Sequence, residues 1–222
     1  MKKILVIAPH PDDETLGCGG TLLRAKESGA EIHWLIITNM TIENGHSNDQ
    51  VQTRSNEITK VKEFYNFNST TSLDYIPARL SPNDKGNLIG DISNVINKIK
   101  PDTVLVCYRN DAHSDHEVVF DCTMSATKSF RYPFVKKVMA YETISETDYG
   151  MKPEDKGFRA NVYIDIEKQL DKKIEIMNIF ASEMGEFPFP RSEKAIKSLA
   201  YLRGSQSNSE ASEAFMLIKE II

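Results

Sequence analysis

Apolar residues fall along the chain in short unbroken runs that alternate with longer stretches of 3/4 spacing. Lys3–Ala8 (KILVIA) and Glu31–Thr38 (EIHWLIIT) are continuous apolar runs, the pattern of strands covered on both faces. Ser72–Ile76, Thr103–Tyr108 (TVLVCY) and Lys136–Glu142 (KKVMAYE) read as three further strands, and Asn161–Ile166 (NVYIDI) as a weaker sixth of undetermined direction. Between them lie helical patterns. Thr15–Ser28 is closed by Gly29, and Gln50–Phe67 places Ile58, Val61 and Tyr65 on one face. Leu88–Lys100 carries the stripe Ile89, Ile92, Ile96 and Ile99 and stops at Pro101. His116–Phe130 and Glu167–Glu183 follow, the latter with Leu170, Ile174, Met177 and Ala181 in register. Ser192–Leu202 and Glu210–Ile221 are expected as helices too, while 143–160 has no regular pattern.

Strands alternating with helices predict an α/β, Rossmann-like and mostly parallel sheet flanked by helices, with strand order 3-2-1-4-5 and a strand and helical extension after it. In such sheets ligands bind beyond the carboxyl ends of the strands, where the order reverses. Strands one and four are neighbours there, so the loops that follow them are expected to carry the chemistry. Residues 1–222 are expected to form one domain.

Composition narrows the function. With 40% hydrophobic and 27% charged residues and a net charge of −5, the chain reads as a soluble globular protein without the basic footprint of a nucleic-acid binder. The run after Met1-Lys2-Lys3 is too short for a signal peptide, and no window is long and apolar enough for membrane insertion. Cys18, Cys107 and Cys122 are isolated, which fits a reducing compartment, and a cytoplasmic location is expected. Any exposed helix of such a domain can serve self-association, so a homo-oligomer is compatible with the sequence.

The loop after strand one is PHPDDE and the loop after strand four is RNDAHSDH. Together they hold His10, His113 and His116, three of the five histidines. Three consecutive acids, Asp12, Asp13 and Glu14, repel one another unless positive charge sits among them. A metal ion resolves this. His10 and Asp13 form an HxxD pair within one tight loop, and His116 closes a triad of the type that binds catalytic zinc and leaves a position open for water. Other divalent metals suit the same donors, iron, cobalt and manganese among them. Asp12 then stands free as general base. His113, if protonated, can stabilise an oxyanion or protonate a leaving amine, and Asp115 can orient one of the imidazoles. Glu14 is expected to act mainly as an N-terminal helix charge. Gly17, Gly19 and Gly20 allow the helix to approach the sheet. GCGG does not fit a dinucleotide fingerprint.

PHPDDE with LGCGG, together with HSDH after the fourth strand, resembles the LmbE/PIG-L family of zinc-dependent sugar N-deacetylases, whose marks are an HPDDE box and an HxDH box. RSNEITKVKEFYNF, FRANVYIDIEKQLDKKIEIM and SEAF resemble further segments of that family, so the likeness spans nearly the whole chain. The resemblance implies zinc at His10, Asp13 and His116, Asp12 as general base, His113 as stabiliser of the tetrahedral intermediate and Arg54 as a substrate contact. It also implies a small-molecule amino-sugar substrate of the N-acetylglucosamine type. The chain departs from the family where H-x-S-Q is common near the end of a long helix: here the stretch is FASE, with Phe180 in the place of the histidine. Two other readings stay open at this point, an amidase for another amide-bearing small molecule and a metal- or sugar-binding module without catalysis.

Overall fold

Apolar runs that must be covered on both faces can do so only at the centre of a layered structure, and that is where they lie. The structure, a computed structural model, describes residues 1–152 and 154–222. β1 (Lys3–Ala8) pairs in parallel with β2 (Glu31–Thr38) on one side and with β4 (Thr103–Cys107) on the other. β3 (Ser69–Tyr75) adds to β2 at one edge, and β5 (Lys137–Tyr141) continues in parallel from β4. The described sheet has seven strands in the order β3-β2-β1-β4-β5-β7-β6. Its first five positions follow the expected 3-2-1-4-5 order. Every residue of β1 after Lys3 is fully buried, as is Val104–Cys107 of β4.

Helices cover both faces. α1 (Asp13–Glu27) packs against α2 (Asn48–Tyr65) and α5 (Leu170–Met177), while α3 (Lys85–Ile99) packs against α4 (Ser114–Ala126). α2 begins with a reciprocal cap between Ser47 and Gln50. α6 (Glu193–Ser207) starts on a Ser192 cap and contacts the antiparallel end of the sheet.

Two expectations require correction. Glu210–Ile221 is a strand, not a helix: β7 (Ser212–Glu220) inserts between β5 and β6 (Val162–Asp165), antiparallel to both. Its Glu, Ala, Met, Leu and Lys residues are good helix formers, but pairing on both sides overrides that preference. Glu167–Glu183 is not one helix either. Only Leu170–Met177 is α-helical, between 3-10 turns at Glu167–Gln169 and Ala181–Glu183. Phe180 leaves the helical path to become fully buried in the core, and this turns Glu183 back toward the ends of β1 and β2. β3 starts earlier than expected because its Ser-Thr-Thr-Ser face is an edge that gives little hydrophobic signal. His33 is structural, with Nδ1 2.7 Å from Ser69 Oγ.

α1 is not continuous. Cys18 has non-helical backbone angles, φ −147° and ψ 24°, and splits the helix in two. The break is spliced by a buried ion pair. Lys173 Nζ donates to Leu16 O before the break (2.8 Å) and to Glu213 Oε1 (2.7 Å). The Glu213 carboxylate accepts the amides of Gly20 (2.9 Å) and Thr21 (2.7 Å) after it. Both residues of the pair are 4% exposed.

Gly17 lies against the ring of Tyr141. A Cβ there would fall 2.1 Å from Tyr141 Cδ2, and Tyr141 is itself fixed by donating its hydroxyl to Ile7 O at 2.9 Å. Gly17→Ala is therefore expected to destabilise the fold by about 1–3 kcal/mol, the cost of overpacking a fixed core. Denaturant midpoints of the two proteins measure this, and equal midpoints would show that the ring can yield.

Candidate metal centre and active site

The parallel pairing of β1 with β4 puts the PHPDDE and RNDAHSDH loops side by side at the carboxyl ends of both strands. The first loop is held by its own polar groups. The His10 amide donates to Asp13 Oδ2 at 2.8 Å, and the Asp13 amide to His10 O at 3.3 Å. Asp12 sits before α1 with φ 141°, a region that L residues rarely adopt and that costs of order 1–3 kcal/mol. Its carbonyl accepts the first helical amides, from Thr15 and Leu16, but its side chain makes no cap. The carboxylate faces a cavity instead.

His10, Asp13 and His116 each bring a ligand atom within 4.8 Å of the others. His116 is fully buried. Its Nδ1 is 2.7 Å from Asp111 Oδ2, while its Nε2 has no hydrogen-bond partner among the described residues and lies 3.3 Å from Asp13 Oδ2. His10 is oriented in the same way: Nε2 lies 3.1 Å from Asp115 Oδ2, and Nδ1 3.2 Å from Asp13 Oδ2. Asp115 in turn is fixed by the amides of Ala78 (2.7 Å) and Leu80 (3.2 Å). Asp111 accepts a further bond from the Thr147 hydroxyl at 2.7 Å. Each imidazole thus has a carboxylate behind it, Asp115 for His10 and Asp111 for His116, and turns its other nitrogen toward Asp13, the arrangement that supports metal-ligating histidines.

The electrostatics agree with that geometry. Burial pushes the His10 imidazole down, but the Asp115 and Asp13 carboxylates more than offset it and raise the group to about 9. Burial opposes charge on His116 too, yet Asp13 raises it well above the ordinary histidine value. Asp13, despite its burial, is held well below the carboxylate range, chiefly by His116. The pocket attracts positive charge, and two imidazoles with one carboxylate are a donor set suited to a divalent cation. An orphaned Nε2 in a fully buried histidine fits such an ion.

Asp12 is 4% exposed, and burial together with Asp13 pushes it up to about 7 against the pull of Arg191. Arg191 Nη1 donates to Asp12 Oδ2 at 2.9 Å. His113 accepts the Asp115 amide on Nδ1 at 3.2 Å, which leaves the proton of the neutral ring on Nε2. Burial and the facing His10 lower His113 to about 4, so it is neutral here, not the cation the sequence reading allowed for. Glu14 also differs from its expected role. It is fully buried, accepts the Thr15 hydroxyl at 2.6 Å and the Asp12 amide at 3.2 Å, and burial pushes it up to about 8. It stands in the first turn of α1, but burial opposes its charge and so weakens any interaction with the helix dipole.

These groups open onto a cavity of about 200 Å³ whose wall includes His10, Asp12, Arg54, His113, Glu183 and Arg191. All seven residues singled out from the sequence therefore converge on one place, with Asp13, His116 and Asp115 beneath the surface that His10, Asp12, His113 and Arg54 line. Arg54 is 5% exposed and engaged by Pro11 O at 3.0 Å and Glu183 Oε1 at 2.6 Å. Three residues were missed. Asp111 stands five places before His116 in a loop already under suspicion, and its spacing was the available signal. Arg191, in FPFPR, and Glu183, in FASE, carry no local pattern and reach the site only through the tertiary fold.

Comparison with known proteins is consistent with this arrangement. Residues 5–127 match the family described as PIG-L: GlcNAc-PI de-N-acetylase. An uncharacterized deacetylase of Escherichia coli, YaiS, is 30% identical over 151 residues, covering 65% of this chain and 75% of the relative. The diacetylchitobiose deacetylase of Thermococcus kodakarensis is 24% identical over an alignment that covers all of this chain and 85% of the relative. Among solved structures, the N,N'-diacetylchitobiose deacetylase of Pyrococcus horikoshii superposes with a TM-score of 0.78 at 18% identity, covering 98% of this chain and 84% of that one. No described helix is long and apolar enough to cross a membrane. The family match covers more than half of the chain and contains both loops of the site, and the chain belongs to the PIG-L family of metal-dependent deacetylases.

Proposed function

We propose that this deacetylase removes the acetyl group from an N-acetylated sugar of the N-acetylglucosamine type, with zinc held by His10, Asp13 and His116. The observation that carries the reading is the free Nε2 of His116, buried and aimed toward Asp13 beside a second carboxylate, Asp12, that faces the cavity. A cavity of about 200 Å³ is smaller than the usual pocket for a drug-sized ligand and suits a single compact ring. A divalent cation bound there supplies positive charge that polarises the amide carbonyl and acidifies water.

The residues of the chain then divide the work. Asp12 accepts the proton of the attacking water, and its raised proton affinity suits a general base near neutral pH. His113 donates Nε2–H to the oxyanion as a neutral donor, its other nitrogen held by the Asp115 amide. As the carbon–nitrogen bond breaks, the proton taken by Asp12 passes to the leaving amine, and acetate and the free amino sugar are the products. Asp115 and Asp111 keep His10 and His116 aimed. Arg54 lines the cavity and supports a substrate contact through the N–H groups that Pro11 and Glu183 leave free. The cysteines, all buried and unpaired, support a cytoplasmic setting.

Two outcomes are expected. After dialysis against zinc, metal analysis should find the ion in the wild type and not in His116→Ala, while Asp111→Asn should weaken zinc affinity about 10–100-fold. Equal zinc content in His116→Ala and the wild type would refute the ligand set. Asp12→Asn should keep its metal and release acetate from N-acetyl sugars about 10²–10⁴-fold more slowly. Undiminished acetate release in that variant would sink the mechanism.

A further inference from the structure

Two guanidinium groups from distant parts of the chain converge on one side chain in the cavity wall. Arg54 Nη2, on α2, donates to Glu183 Oε1 at 2.6 Å, and Arg191 Nη1, just before α6, donates to Glu183 Oε2 at 3.0 Å. Both arginines are fixed from behind. Arg54 is held by Pro11 O at 3.0 Å and Glu57 at 3.4 Å, with its guanidinium carbon 5.6 Å from the centre of the Phe180 ring. Arg191 is held by Asp12 at 2.9 Å, Glu146 at 3.1 Å and Ser145 Oγ at 2.7 Å. Two rigid guanidiniums aimed at one point make a binding site for a carboxylate or phosphate. In this chain Glu183 fills it. A glutamine could not, because its single amide oxygen can serve one arginine while its NH2 faces the other.

We propose that Glu183 is a specificity-determining residue, an anion built into the wall that bars substrates bearing a phosphate or carboxylate there and accepts the hydroxyls of a neutral sugar ring. The inference rests on the deacetylase reading of the site. Each oxygen of Glu183 gives one lone pair to an arginine and keeps another, and the side chain is 27% exposed at the cavity. A sugar hydroxyl donating to it forms a charge-assisted hydrogen bond. An anionic substituent meets Glu183 with Asp12 and Glu146 close by, and the two guanidiniums that would welcome it are already neutralised. Arg191 Nη1 touches both Asp12 and Glu183, so one small ring can reach the reacting group and the recognition group together.

The test compares zinc-loaded wild type, Glu183→Gln and Glu183→Ala, each first shown to keep its thermal transition. Binding of N-acetylglucosamine is measured by calorimetry, inorganic phosphate is titrated as a competitor, and acetate release is followed in parallel. Sugar affinity is expected to fall about tenfold or more in both variants, as for loss of a hydrogen bond to a charged group. Phosphate is expected to compete at least about tenfold better in Glu183→Ala than in the wild type, because the vacated guanidiniums bind it, and by a smaller factor in Glu183→Gln, whose amide oxygen still occupies one arginine. Sugar and phosphate affinities within twofold of wild type in both variants would overturn the proposal, as would a wild type that binds phosphate at this wall as tightly as Glu183→Ala does. If no N-acetyl sugar releases acetate while both affinities shift as stated, the deacetylation reading fails and the role of Glu183 stands. If acetate is released and neither affinity responds, the reverse holds.

Discussion

Asp12, Asp13, Asp111 and Asp115 lie together at the ends of β1 and β4, none more than 4% exposed. Burying that much negative charge is tolerable only if positive charge is held among the carboxylates. Much else in the structure answers this constraint. Two histidines stand between pairs of carboxylates with one nitrogen each toward the centre. Arg191 reaches Asp12 from a loop far along the chain, and a strained backbone at Asp12 turns its side chain away from α1 and into the cavity. The same constraint accounts for a donor set whose natural occupant is a divalent cation.

A second wall grows out of the first. From Asp12 the contacts run through Arg191 to Glu183, then through Arg54 to Glu57, alternating in sign. The partners come from α2, from the turn after α5 and from the segment before α6. No one of these elements is close to the metal ligands in sequence, yet each ends at the same cavity. Substrate choice and chemistry are therefore coupled through one guanidinium, and a change in either wall is felt in the other.

What could be read from the sequence follows from where the determining forces are local. Ile4–Ala8 and Val104–Cys107 announce buried strands because solvent is excluded from both faces, and their adjacency follows from the usual order of such sheets. His10, Asp12 and Asp13 share one tight loop, and His113, Asp115 and His116 another, so their spacing already carries the geometry. β7 was misread because its residues favour a helix in isolation and become a strand only by pairing with β5 and β6. Phe180 ended α5 early by burying itself in the core, which no periodicity foretells. Arg191 and Glu183 owe their positions to long-range ion pairs, and a single charged residue in a loop has no pattern to read. His113 was assigned its place but not its charge, since that depends on its burial and on the His10 ring facing it.

The splice across Cys18 bears on the order in which the molecule can be made. The half of α1 that carries the acid box is tied by Lys173 and Glu213 to α5 and β7, and β7 must slide between two strands that precede it in the chain. A nascent polypeptide can lay down β1 to β5 as it leaves the ribosome, but the tie between the two halves of α1 closes only once β7, made much later, has paired with β5 and brought Glu213 to Gly20 and Thr21.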